Sequence, residues 1–188
     1  MHIKTNLYSI DLSFAAINVL GSVNDQCYDE VYNVDSLHDI DLTKTLCVYI
    51  SCASYSKKIA FISSCYSSDE NCAVLDDNIL TILQDDIVIQ MDMACCCVIK
   101  YKKIDTFSNL WHIYQFNDAF IVHGEIEIIR LNKYLEVVWS FSGADIFVTI
   151  DMPHDAFQMC DDCIKLYDFN GSYYEINYKG ELVTSKMV

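Results

Sequence analysis

Residues 86–93 alternate strictly, with Ile87, Ile89, Met91 and Met93 on one side and Asp86, Val88, Gln90 and Asp92 on the other. A pattern of period two buries one face only as a β-strand, because successive side chains point to opposite sides. The period recurs at 135–141, where Leu135, Val137, Trp139 and Phe141 oppose Glu136, Val138 and Ser140. Segments 163–168 and 173–178 flank Asn170-Gly171, a dipeptide suited to a type I′ hairpin turn. Lys179-Gly180 then leads into a short strand at 181–184, and Asn117-Asp118 and Asn132-Lys133 read as further turns. Strand composition, rich in Val, Ile, Tyr, Phe and Thr, also fits 45–53, 58–64, 78–83, 94–101, 110–116 and 119–131.

Helices are expected only at 13–20, ended by Gly21, and at 155–160 after Pro153. The acidic stretch 25–41 reads as loop with room for a short helix. Strands joined by short turns make an antiparallel meander. The expected fold is therefore mainly β: an antiparallel meander forming a sheet or sandwich with a few short helices. Pro153 is the only proline and no linker composition appears, so the 188 residues are expected to form a single β-rich domain, 1–188. One internal echo exists: Ile129-Arg130-Leu131 and Ile164-Lys165-Leu166, 35 residues apart, each precede a turn.

Composition narrows the partners. The net charge of −15 disfavours nucleic acid and anionic membranes, which require clustered cations. A basic protein is what such a field attracts, although acidity also serves solubility. Residues 1–97 hold 14 acids against 4 bases and 98–188 hold 13 against 8, which would place an electrostatic interface in the first half. No apolar run approaches the ~20 residues of a spanning helix, and the first residues make a poor export signal. A cytoplasmic location is expected. Most of the ten cysteines lie in apolar runs (Cys47, Cys52, Cys65, Cys95-Cys96-Cys97) and read as reduced core thiols.

Three groups of residues have the types that chemistry needs. His123, Glu125 and Glu127 share one face if 119–131 is a single strand, with Ile126 and Ile128 facing the core. A His with two carboxylates can hold a metal or move protons, and it is equally the wet face of an amphipathic strand or a contact surface for a basic partner. Cys160 and Cys163 form a CxxC with His154 upstream, a partial zinc set that lacks a fourth ligand. The acid pairs Asp69-Glu70, Asp76-Asp77, Asp85-Asp86 and Asp161-Asp162 suit turns, together they would also suit a patch that mimics phosphate towards a basic cleft, and the first three are the candidate partner-binding residues. Five isolated glycines, no phosphate loop and no nucleophile elbow give no cofactor and no catalytic set.

Two stretches, Trp139-Ser-Phe-Ser-Gly143-Ala-Asp145-Ile-Phe147 and 164–183, resemble β-units of uncharacterised bacterial proteins. The whole profile, small, acidic and without a catalytic set, resembles that of bacterial toxin-immunity proteins, including those of contact-dependent inhibition systems. That resemblance implies a non-enzymatic protein that covers the active site of a basic, nuclease-like toxin domain. It transfers no individual residue.

Overall fold

The computed structural model describes residues 1–15, 28–36, 43–64, 68–149 and 153–188. Among them the fold is all β, with no helix, and it divides into two compact units, 1–103 and 104–188. The expected single domain showed no boundary in composition, and the division falls at Lys103/Ile104 without a Gly, Pro or Ser signal.

The first unit opens with β1 (His2–Lys4), β2 (Ser9–Ala15), β3 (Glu30–Tyr32), β4 (Thr43–Ser51) and β5 (Ser56–Ser64). They form one sheet in the order β1-β2-β4-β5-β3. Here the chain departs from a pure meander, because β3 pairs parallel to β5. The next sheet is a meander of β6 (Ala73–Asp76), β7 (Ile79–Gln84), β8 (Ile87–Asp92) and β9 (Cys97–Lys103). Ile87, Ile89, Met91 and Met93 are all buried, as the alternation requires, and share a core with Leu46, Ile59 and Phe61 of the first sheet.

The second unit repeats the meander twice. One sheet is β10 (Leu110–Phe116), β11 (Ala119–Gly124), β12 (Glu127–Leu131) and β13 (Val137–Ser142). The other is β14 (Phe157–Met159), β15 (Cys163–Tyr167), β16 (Tyr173–Asn177) and β17 (Leu182–Lys186). Their shared core holds Ile121, Ile128, Phe147, Ile164, Leu166 and Ile176.

A repeat of 45 residues links these two sheets. Between β12 and β13, the Asn132 Oδ1 accepts the Tyr134 and Glu136 backbone N–H groups at 2.9 and 3.0 Å, and its Nδ2 donates to Glu136 Oε2. Between β16 and β17, Asn177 does the same for Lys179 and Glu181 at 2.9 and 3.0 Å. Each turn puts its fourth residue in the left-handed region, Leu135 at φ 64° and Gly180 at φ 82°. Each follows a register shift, at Arg130/Leu131 and at Glu175/Ile176. In β6–β9 the register shifts at Gln90/Met91, and Asp92 Oδ1 accepts the Ala94 N–H at 2.7 Å. The 35-residue echo is not this repeat. Ile129–Leu131 lies in the third strand of its sheet, whereas Ile164–Leu166 lies in the second.

Several local expectations change for stated reasons. Segment 155–160 is not helical: Phe157 pairs with Leu166, and its ring stacks on Tyr114 and His123 with centroids 5.0 and 4.8 Å apart. Packing there outweighs the start signal of Pro153. The expected helix 13–20 begins as strand through Ala15, and 16–20 lies outside the described residues. The expected loop 25–41 contains β3, with 25–27 and 37–41 outside the described residues. Segment 119–131 is two strands with a turn at Glu125-Ile126. Val137 and Val138 are both exposed, because the bulge opposite Arg130/Leu131 breaks the parity that alternation assumes. Asn170-Gly171 is not a two-residue turn. Gly171 N–H donates to Asp168 O across a β-turn, and the buried Asp168 carboxylate accepts Ser172 N–H at 2.8 Å and Tyr174 O–H at 2.9 Å.

Gly180 has a further constraint: an added Cβ would stand 2.7 Å from the Trp139 ring. Gly180→Ala is expected to cost the second unit about 2 kcal/mol through strain at positive φ and displacement of Trp139. Urea unfolding followed by tryptophan fluorescence checks this, and an unchanged midpoint would contradict it.

Candidate functional site

The acid pairs are divided by the hairpin geometry. Asp76 and Asp77 sit at the β6–β7 turn, whereas Asp85 and Asp86 sit at the β7–β8 turn, at the opposite end of strand β7. Six residues of strand span roughly 20 Å. The four side chains therefore do not form one patch. Asp77 and Asp85 each take a positive φ, 49° and 53°, which Asp tolerates and which fits the first position of these two-residue turns.

Asp85 and Asp86 also have internal work. Asp85 Oδ2 accepts the Ser64 backbone N–H at 2.8 Å and the Ser63 hydroxyl at 3.3 Å, tying this turn to β5. Asp86 lies 3.3 Å from Lys103 Nζ, which also reaches Asp35 at 2.8 Å. Burial pushes the Asp86 carboxyl up, while Lys103 opposes that shift. Asp69 is half-buried, and the exposed Glu70 has its backbone N–H held by Ser68 Oγ at 3.1 Å.

Asp76 and Asp77 are exposed, and Asp92 joins their end of the sheet because its strand partner is Ile79. Beside them lies a cleft of about 460 Å³ lined by Thr5, Asn6, Leu7, Tyr8, Leu75, Asp77 and Asn78. Thr5 shapes the opposite wall: its Oγ1 accepts the Leu7 and Tyr8 N–H groups at 3.2 and 3.0 Å. Tyr8 O–H crosses the cleft to Asn78 Oδ1 at 3.1 Å. Leu7 is 67% exposed. The lining thus combines an apolar tip, a phenol and a carboxylate, with no cation among its seven side chains. Nothing in the sequence marks Leu7 and Tyr8, since only the β1–β2 hairpin brings them to this turn.

His123, Glu125 and Glu127 do not share a face. His123 is buried in β11, Glu125 lies in the turn, and Glu127 begins β12. Ile128 is buried as expected, but Ile126 is exposed. Glu125 accepts Asn109 Nδ2 at 3.0 Å, and Glu127 accepts the Thr106 hydroxyl. The His123 ring lies 3.2 Å from His112, Nδ1 to Nδ1, and its Nε2 lies 3.4 Å from Phe147 O. A carbonyl only accepts, so Nε2 carries the proton and Nδ1 accepts from His112. Burial, and secondarily the His112 charge, lower the His123 pKa to about 4.

The candidate zinc residues make packing and backbone contacts instead of a metal group. The His154 ring stacks on Tyr167 at 3.6 Å. Cys160 N–H donates to Cys163 O at 2.8 Å, and burial with Glu175 and Cys160 nearby pushes the Cys163 thiol up to about 11. Among the described residues no three His, Cys, Asp or Glu side chains are grouped as a metal site.

The stretch 139–147 with 164–183 has an architectural explanation. Tyr178 O accepts both Trp139 Nε1 at 3.2 Å and Arg130 Nη1 at 2.7 Å. Ala144 N–H donates to Tyr174 O–H, which donates to Asp168, and Asn170 Nδ2 donates to Asp145 Oδ2 at 2.6 Å. Gly143 leaves room for Phe147 and Tyr174, whose ring atoms an added Cβ would meet at 2.9 and 3.2 Å. These residues lock the two sheets of the second unit together.

The charge asymmetry does not survive the structural boundary. Residues 1–103 hold 14 acids and 7 bases, net −7, and 104–188 hold 13 and 5, net −8. Lys100, Lys102 and Lys103 belong to β9 and restore the balance.

No known protein family matches the sequence, and no curated protein does. Among solved structures, the chain is similar to BamB from Moraxella catarrhalis at 10% identity and TM-score 0.46, over 78% of this chain and 47% of that one. It is similar to the AfRom2 CNH domain at 11% identity and TM-score 0.45, over 78% and 48%. A third is the computationally designed Ika8 protein, at 10% identity and TM-score 0.49, over 78% and 46%. The chain thus spans about half the length of the solved structures that it resembles.

Proposed function

We propose that this chain is a binding protein that neutralises a basic protein partner in the cytoplasm, in the manner of an immunity protein covering a nuclease-like toxin domain. The observation that carries this reading is the cleft beside the Asp76–Asp77 turn, acidic at its rim and lined by Leu7 and Tyr8. A lysine or arginine of the partner would enter with its stem against Leu7 and Tyr8 and its charge towards Asp77. The net charge of −15 would speed the encounter, and the apolar contact would hold it. In the same reading each four-stranded meander is a propeller-like blade, a unit that can be recombined while turns at its edge vary. The recurring Asn132 and Asn177 turns support that view.

The test is rescue. The product of the adjacent reading frame is expressed in bacteria with and without this chain, and growth is followed. Arrest relieved only by this chain supports the proposal, and unrelieved arrest counts against it. Asp76→Asn with Asp77→Asn removes two charges and keeps the left-handed turn that Asn tolerates. This double variant is expected to slow association with the partner about tenfold at low salt and much less at high salt. An unaltered rate at low salt would remove the cleft from the interface.

A further inference from the structure

Of the 12 lysines and arginines in the chain, Arg130 is the only arginine, and it lines a pocket in the second unit. The pairing of Phe120 with Leu131 brings the β10–β11 turn and the β12–β13 turn to one end of their sheet. The pocket there has a volume of about 180 Å³. Asp118 and Ala119 line it from the first turn, Lys133 and Tyr134 from the second, and Arg130 and Val138 from β12 and β13. The second unit holds only 5 bases against 13 acids, so two of its five cations sit in this one pocket.

The turn does not account for Arg130. The matching turn 45 residues on is built by Asn177 with the same hydrogen bonds, and there the position of Arg130 is held by Glu175. Neither Arg130 nor Lys133 forms an ion pair among the described residues. Arg130 is nevertheless held in place. Its Nη1 donates to Tyr178 O at 2.7 Å, and its guanidinium carbon lies 5.6 Å from the centre of the Phe116 ring, which itself stacks on Tyr178. Its Nε is buried and makes no hydrogen bond. A buried donor without a partner is uncommon and calls for an explanation. With Nη1 engaged, the Nε–Nη2 edge remains, and that edge grips a carboxylate with two parallel hydrogen bonds. The empty space beside Arg130 lets this edge turn to meet a ligand.

We propose that this pocket binds a small organic acid, whose single carboxylate pairs with Arg130 and Lys133 and whose apolar body rests on Val138 and Tyr134. Size and charge both select the ligand. Pockets for drug-sized ligands run to roughly 300–1,000 Å³, so 180 Å³ takes a small acid and not a nucleotide. Two cations against Asp118 leave one positive charge to balance, which suits a monoanion, whereas a dianion would be repelled by Asp118. Val138 and Tyr134 are 54% and 59% exposed and supply the apolar wall. Lys133 Nζ stands 5.4 Å from the Tyr134 ring centre, at the rim, where it can swing to the second carboxylate oxygen.

The site lies in the second unit and does not depend on the cleft of the first. Because Arg130 is the single arginine, its Nε–H gives one unmistakable resonance in a ¹H–¹⁵N spectrum of the full chain at mildly acidic pH. Titration with benzoate is expected to move that resonance and the Lys133 and Tyr134 amides together, saturating in the millimolar range typical of a small ligand. Benzamide, the uncharged equivalent, and sulfate, a small dianion, are expected to bind at least about tenfold more weakly. Lys133→Glu, at an exposed position, is expected to weaken benzoate about tenfold without altering the rest of the spectrum. Asp118→Asn is expected to improve sulfate binding. An Arg130 resonance that benzoate leaves in place would overturn the proposal. So would an equal response to benzamide, sulfate binding as tight as benzoate, or undiminished benzoate binding in Lys133→Glu.

Discussion

Replacing Phe147 with alanine is expected to destabilise the second unit by about 3–5 kcal/mol, the range for a fully buried Phe. Phe147 is wholly buried between Phe141 and Tyr174, with centroids 6.4 and 6.1 Å away. The backbone around it is pinned, with Phe147 N–H donating to Glu125 O at 2.6 Å and Phe169 N–H donating to Ile146 O at 2.8 Å. The cavity cannot collapse easily, so the cost falls near the top of the range. Against a total of about 5–15 kcal/mol for a domain, this is a large fraction. Trp111 and Trp139 are the only tryptophans and both lie in the second unit, so tryptophan fluorescence reports on that unit alone. The urea midpoint is expected to fall by roughly 2 M. A fall below about 0.5 M would show that Phe147 is not the keystone of this core.

Acidification is the second large effect. His123 titrates at about 4 in the folded chain and near 6.5 once unfolded. Between these values the unfolded chain binds a proton that the folded chain refuses, so stability falls as pH falls. The contribution is complete above about pH 6.5 and gone below about pH 4. At 1.36 kcal/mol per unit, the difference amounts to on the order of 3 kcal/mol. His123 is 5% exposed, so solvent screens little of this. Carboxylates also begin to protonate near the lower limit. The measurement is therefore the difference between the native chain and His123→Leu, by urea unfolding at pH 7 and pH 4.5. The native chain is expected to lose more stability over this interval, and equal losses would show that His123 is not held neutral by its surroundings.

The structure also changes how the candidate site reads. From the sequence, acid pairs and a His with two Glu residues look alike: polar positions at short spacings. Hairpin direction then separates Asp76–Asp77 from Asp85–Asp86 by the length of β7, and internal partners occupy the second pair. The turn at Glu125-Ile126 separates His123 from the glutamates and turns the ring inward against Phe157. A period of two holds only within one unbroken strand, and the sequence carries no sign of that break except two polar residues around an isoleucine. The cleft is not legible in the sequence for the opposite reason. Leu7 and Tyr8 have ordinary strand composition and gain meaning only when the β1–β2 hairpin meets the β6–β7 turn.

Local physics determined the class of the fold. Alternation at 86–93, β-branched and aromatic composition, and turn residues at Asp77, Asp85, Asn117 and Gly180 lead to antiparallel strands because each acts over a few bonds. The tertiary structure alone decided what those strands share. It paired β3 parallel to β5, divided the chain at Lys103/Ile104, and drew Phe157 out of a helix onto His123. It made the Asp92 turn one residue longer than those of Asn132 and Asn177, so that the left-handed position falls at Cys96. These outcomes depend on contacts between residues far apart in sequence. Their energies compete with local preferences of similar size, and a single sequence states only the local side of that competition.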